Sequence, residues 1–172
     1  MELTCESNGK TRLLIYKPSD VKHKNIDIPI PSPYGYTLLQ TIPGFGPYIS
    51  ALVLATIGNP FRFKSRKQVI RLAGLDLNAK RSGKTSSDSI PVISKKGDAD
   101  LRYGLYQAGL IASFHNDNFK RLFHIMLEGR QKERGIRTKM RVKLAARLIV
   151  IAWTMLKNNK PFDASRLTTY SD

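Results

Sequence analysis

The chain has 172 residues, enough for one domain with a real core and too few for two large ones. Hydrophobic residues make up 41%, too many for a solvated coil, while 29 Lys and Arg against 13 Asp and Glu leave a net charge of +16 and point to an acidic polymer as partner. Cys5 is the single cysteine and His23, His115 and His124 lack ligand spacing, so neither a disulfide framework nor a metal site is read from these residues.

Residues 1–36 show weak periodicity and are punctuated by Pro18, Pro29, Pro31 and Pro33, so they read as an extension or linker. They lack the charged-then-apolar pattern of a signal peptide, and a reducing cytoplasm is the expected location. Residues 37–160 read as a helical domain and 161–172 as a tail.

A short apolar segment, Leu38-Leu39-Gln40-Thr41, runs into Ile42-Pro43-Gly44-Phe45-Gly46-Pro47, and Ile49, Leu52, Val53, Ala55 and Thr56 then step at helical spacing. This reads as helix, tight hairpin, helix. Gly44 and Gly46 can take the positive φ that a tight hairpin requires, and Pro47 suits the first turn of the second helix. Free N–H groups gather where that helix begins, with the positive end of its dipole behind them, which suits a backbone phosphate. The segment resembles the helix-hairpin-helix motif of DNA repair and recombination proteins.

A loop at 59–63 leads to a helix with Ser65 as N-cap and Gly74 as stop. The next helix begins near Asp98 or Ala99 and carries Leu101, Leu105, Ala108 and Ala112 on one face, with Gly104 and Gly109 admitting close neighbours. Asn116 to Asn118 break the chain, and Phe119, Leu122, Phe123, Met126 and Leu127 form the next core stripe. Residues 128–139 read as a charged turn or a frayed helix. The last helix, 139–157, is apolar over most of its circumference and is expected deep in the bundle with Trp153 anchored there. Its most apolar run, 148–156, falls well short of the ~20 residues that span a bilayer, and no lipidation signal or amphipathic anchor suggests a membrane partner. The fold class is therefore mainly α: a helical bundle with one irregular polar loop, in which Ile90-Pro91-Val92-Ile93 reads as a short strand.

That loop, residues 75–97, carries Arg81, Ser82, Gly83, Lys84, Lys95 and Lys96, and Arg102 follows it. Ser82-Gly83 alone is a turn dipeptide. If the loop folds back between its flanking helices, Arg81, Lys84, Lys95 and Arg102 come near one serine hydroxyl. A serine that attacks a phosphodiester needs cations where negative charge builds, together with a proton acceptor or strong field. No histidine or carboxylate near Ser82 in sequence is an obvious base, and Ser86, Ser87, Ser89 and Ser94 are neighbouring candidates.

From about Leu38 to Lys157 the chain resembles the C-terminal transposase domain of the serine-type insertion-sequence transposases known as bridge recombinases. The resemblance rests on the 42–47 hairpin, Ile57-Gly58, Arg62-Phe63, Ala73-Gly74-Leu75, Ser82-Gly83 eight residues after Gly74, Ile93-Ser94-Lys95-Lys96-Gly97, Leu101-Arg102 and Ala145-Ala146-Arg147-Leu148. Leu77 and Asp98 depart from it, standing where the family usually has proline and asparagine. It implies that Ser82 becomes joined to a DNA end, with Gly44, Gly46, Arg81, Gly83, Lys84, Lys95, Lys96 and Arg102 as DNA-binding residues. It further implies a structured guide RNA, a homo-oligomer when active, and a RuvC-like domain whose acidic ligands hold a divalent metal such as Mg. No cofactor is expected in this chain, which reads as a truncated or split member whose RuvC-like domain is supplied by another chain. The alternative is a non-catalytic basic helix-hairpin-helix module that binds DNA by charge. A helix-hairpin-helix glycosylase fits less well, since Pro47-Tyr48-Ile49-Ser50 stands where many of those enzymes carry a lysine. The Ser82-Gly83 loop and apolar last helix do not suit a small-subunit ribosomal protein.

Overall fold

Apolar residues at helical spacing, punctuated by glycine, proline and asparagine, produce six α-helices among the described residues of the computed structural model, 33–78 and 92–167. They are α1 (Pro33–Gln40), α2 (Pro47–Ile57), α3 (Arg66–Leu72), α4 (Ala99–His115), α5 (Asp117–Leu127) and α6 (Ile136–Asn158). Short 3-10 turns lie at Pro60–Arg62 and Ala164–Leu167. Two-residue strands, β1 (Leu77–Asn78) and β2 (Val92–Ile93), pair antiparallel with Leu77 opposite Ile93. The mainly helical architecture is the expected one, and α1 starts already at Pro33.

The central helix is α4, which packs against α2, α5 and α6. Its stripe Leu101, Leu105, Ala108 and Ala112 is buried, joined by Phe119 of α5 and Leu144, Leu148 and Ile149 of α6. Each large side chain removed from water in this way contributes about 1.5–3 kcal/mol. Both glycines of α4 admit neighbours: Gly104 faces Leu52 and Ile49 of α2, and Gly109 faces the backbone of Arg141 and Ala145 in α6. Asp98 caps α4 by accepting from the Leu101 N–H. At its other end Asn116 donates its N–H to the Ala112 carbonyl and accepts from the Phe119 N–H through its side chain, ending one helix and starting the next.

Three details differ from the sequence reading. Ser65 occupies the N-cap of α3 but its side chain makes no capping bond; Gln68 Oε1 instead accepts from the Lys64 N–H. The last helix begins at Ile136, because Ile136 and Met140 pack with Phe123 and Leu127 in a small cluster that fixes its first turn. Nor is α6 enclosed on all sides. Val150, Ile151 and Thr154 line an open groove of about 570 Å³ between α6, α3 and the segment 160–167. Trp153 is half-buried and its indole N–H donates to the Pro60 carbonyl at 2.7 Å. The segment after α6 is held by Phe162, whose ring stacks on Phe119 at 5.8 Å, and by buried Leu167.

Among the described residues no helix is long and apolar enough to cross a membrane.

Candidate nucleic-acid interface

The residues that bracket the polar loop form a tied stem. Gly74 turns the chain out of α3 at φ +63 and lies against Gly97, where an added Cβ would overlap the Gly74 nitrogen and the Leu72 carbonyl oxygen. Only two glycines allow these backbones to approach so closely. Backbone bonds then run across the stem from Ser94 N–H to the Asp76 carbonyl at 2.8 Å, from Lys95 N–H to Gly74 at 3.0 Å and from Asp98 N–H to Leu72 at 2.8 Å. The Ser94 hydroxyl donates to the Asp76 carboxylate, whose other oxygen lies 3.7 Å from Arg71 Nε. Lys95 holds a left-handed backbone at φ 55, uncommon for a residue with a side chain, and such conformations persist only where their surroundings determine them.

This stem sets the surroundings of the site residues read from the sequence. Lys95 and Lys96 are exposed. Arg102, at the start of α4, donates through Nη1 to the Ala73 carbonyl at 3.2 Å and to that of Gly97 at 3.4 Å, so its guanidinium buttresses the glycine contact. Arg81, Ser82, Gly83 and Lys84 lie outside the described residues, as do Ser86, Ser87 and Ser89. The ladder at Asn78 and Val92 brings the two ends of that loop side by side.

At the hairpin, Gly44 has φ +90 as expected, and an added Cβ would overlap the Ala108 carbonyl oxygen of α4. Gly46 does not share that conformation. With φ −78 and ψ 178 it is the extended N-cap of α2, because Pro47 at the first helical position needs only an extended residue before it. Gly46, Pro47 and Tyr48 are exposed, and no side chain caps the first N–H groups of α2. The hairpin thus packs through Gly44 and shows solvent the bare start of a helix at Gly46.

The second basic stretch, 120–147, surrounds the α5–α6 turn. Arg130 closes on Glu133 with bonds of 2.8 and 2.9 Å, and that side-chain hydrogen bond holds the Glu133 carboxyl below its ordinary range. Arg141 lies between two aromatic rings, 5.3 Å from the Phe114 centroid and 5.7 Å from that of Phe123. Sequence reasoning passed over Arg141, since nothing in a run of alternating cations marks one as held. Asp76 was passed over as well, because its partner Ser94 is 18 residues away and meets it only across the stem.

Among the described residues no cluster of three or more His, Cys, Asp or Glu is placed to hold a metal ion. The carboxylates nearest the loop are engaged, Asp76 with Ser94 and Arg71, and Asp98 with the α4 N-terminus. The described residues therefore do not fit a divalent cation.

A family model described as the transposase IS116/IS110/IS902 family matches residues 36–124, more than half of the chain, from α1 through most of α5. The chain belongs to this family of transposases. It is also 30% identical over 132 residues to a pilin gene-inverting protein of Moraxella lacunata, covering 76% of this chain and 39% of that protein. A pilin gene-inverting protein of Moraxella bovis is 30% identical over 129 residues, covering 74% of the chain and 38% of the relative. The chain thus spans about two fifths of the length of these curated relatives.

Proposed function

We propose that this chain is the serine-bearing part of an IS110-type transposase, in which Ser82 attacks a DNA phosphodiester and is joined to the strand end. The support is the tied stem: it closes residues 79–91 on a fixed two-residue ladder, beside exposed Lys95 and Lys96 and a braced Arg102. In the proposed step, the Ser82 Oγ–phosphorus bond replaces the bond to one strand end, which departs as a hydroxyl after taking a proton. The serine proton passes to an acceptor outside the described residues. A phosphoserine ester conserves the energy of the broken linkage, so strands are exchanged without a nucleotide cofactor.

In this reading Arg81, Lys84, Lys95, Lys96 and Arg102 neutralise the transferring phosphate and Gly83 lets the backbone turn beside it. The bare start of α2 at Gly46, set by the hairpin turn at Gly44, binds a phosphate further along the strand, as in helix-hairpin-helix proteins. A RuvC-like domain would bring the acidic ligands and the divalent metal they hold, a structured RNA guides the complex, and two copies act together because strand exchange needs two ends cut. In this reading the work is done in the cytoplasm.

The test is expression of the chain together with a RuvC-like domain, its structured RNA and the genomic DNA that flanks its own coding sequence, followed by denaturing extraction of protein–DNA adducts. The wild type should yield adducts, and Ser82→Ala should lose them while Ser86→Ala and Ser89→Ala retain them. Adducts that persist in Ser82→Ala, or none with the wild type, overturn the assignment; the second result leaves a non-catalytic DNA-binding module.

A further inference from the structure

The nucleophile reading makes no use of the second basic stretch. Between residues 130 and 143 the sequence places seven Lys and Arg against one acid, Glu133, and that acid is closed on Arg130. Phe123 and Leu127 of α5 pack with Ile136 and Met140 of α6, and this buried cluster pins both ends of the turn while residues 130–135 stand exposed. With Ile136 and Met140 turned inward, Arg137 and Arg141 share a neighbouring face four residues apart, about 6 Å along the axis. That spacing is close to the ~7 Å axial advance of two nucleotides along one strand of duplex DNA.

Arg141 is the telling residue. Its guanidinium lies against Phe114 and Phe123, its Nε is shut off from solvent, and it has no hydrogen-bond acceptor or acid partner among the described residues. A planar guanidinium held by aromatic faces loses little freedom on binding; with Nε enclosed, the outer Nη groups of this half-buried side chain are the donors left for a phosphate. Phe114 itself is 55% exposed in the last turn of α4. The stem meets the first turn of that helix through Gly97 and Asp98, about 22 Å away along its axis.

We propose that Arg137 and Arg141, with Phe114 beside them, form a contact for the phosphate backbone of duplex DNA, separate from the serine-bearing loop. A density of one charge sign this high suits a polymer of evenly spaced phosphates better than a protein surface of mixed charge. The 22 Å between the contact and the stem corresponds to about seven base-pair steps, a distance that one duplex bridges.

Fluorescence anisotropy of the full 172-residue chain with a labelled 30-bp duplex of arbitrary sequence, at 50 to 200 mM NaCl, tests this contact. Arg137→Ala and Arg141→Ala should each weaken binding 3- to 10-fold at 100 mM, and the double variant should lower the slope of log K against log salt by about 2. Arg141→Lys should keep the slope, since the charge remains. The assay reads binding without strand cleavage, so its result stands apart from the fate of the nucleophile assignment. If the double variant loses its thermal melting transition, Arg137→Glu, at an exposed position, takes its place and should weaken binding at least 10-fold. Binding within twofold of wild type with an unchanged slope overturns the proposal. So does a loss confined to a 30-nucleotide single-stranded RNA, which would assign the patch to RNA.

Discussion

The two basic stretches carry nearly the same charge, a net of +7 over residues 62–102 and +8 over 120–147, yet the fold uses them differently. In the first, several cations are built into the structure. Arg62 donates to the Thr56 carbonyl and lies over the Phe63 ring, Arg71 faces Asp76, and Arg102 braces the Gly74–Gly97 contact. In the second, Lys120 pairs with Asp117 and Arg141 lies between two rings, while the turn 130–135 is wholly exposed and its partnered cation, Arg130, is closed on its own neighbour Glu133. Charge counted along a chain thus locates basic surface without separating the cations that hold the fold from those free to meet a ligand.

If the first stretch is structural, its most sensitive position is the glycine contact. Gly97→Ala forces a Cβ onto backbone atoms with no flexible side chain to yield, and it should cost more than about 4 kcal/mol or prevent folding, as read by urea denaturation. A loss under 1 kcal/mol would break the description of the stem. Next, Arg102→Ala removes donors to two carbonyls and should cost about 1.5 kcal/mol in the same assay. Stability unchanged by that variant would mean that Arg102 is free for ligand alone. Asp76→Asn keeps an oxygen for the Ser94 hydroxyl and loses only a 3.7 Å pair to an arginine whose side chain is 74% exposed, so about 0.5 kcal/mol is expected. Lys132→Ala, in the exposed turn, should shift stability by less than about 0.5 kcal/mol while weakening duplex binding. A larger stability loss there would erase the contrast between the two stretches.

The helices were legible because their signals are local. Asp98, Asn116 and Gly74 stop or start them by bonds to residues within a turn, and the stripes of α4 and α5 repeat at helical spacing. The start of α6 was not legible at Ile136, since a cluster with α5 fixes it and Gly135 merely permits it. Gly46 misled for a related reason. Its neighbour Gly44 took the left-handed turn, and a proline at the first helical position asks only for an extended residue before it. At the site, Lys95, Lys96 and Arg102 could be named from their place beside the loop, whereas the Asp76–Ser94 bond and the Phe114–Arg141–Phe123 sandwich arise from segments brought together by packing. The family model covers α1 through most of α5, so the likeness readable from the hairpin to Leu101-Arg102 has an independent counterpart, while Ser82 rests on its spacing from Gly74.

Mass spectrometry of the adduct after nuclease digestion bears most directly on that serine. A residual nucleotide carried on Ser82 is the expected result. A remnant on Ser94, or on any side chain other than Ser82, would contradict it and move the chemistry elsewhere.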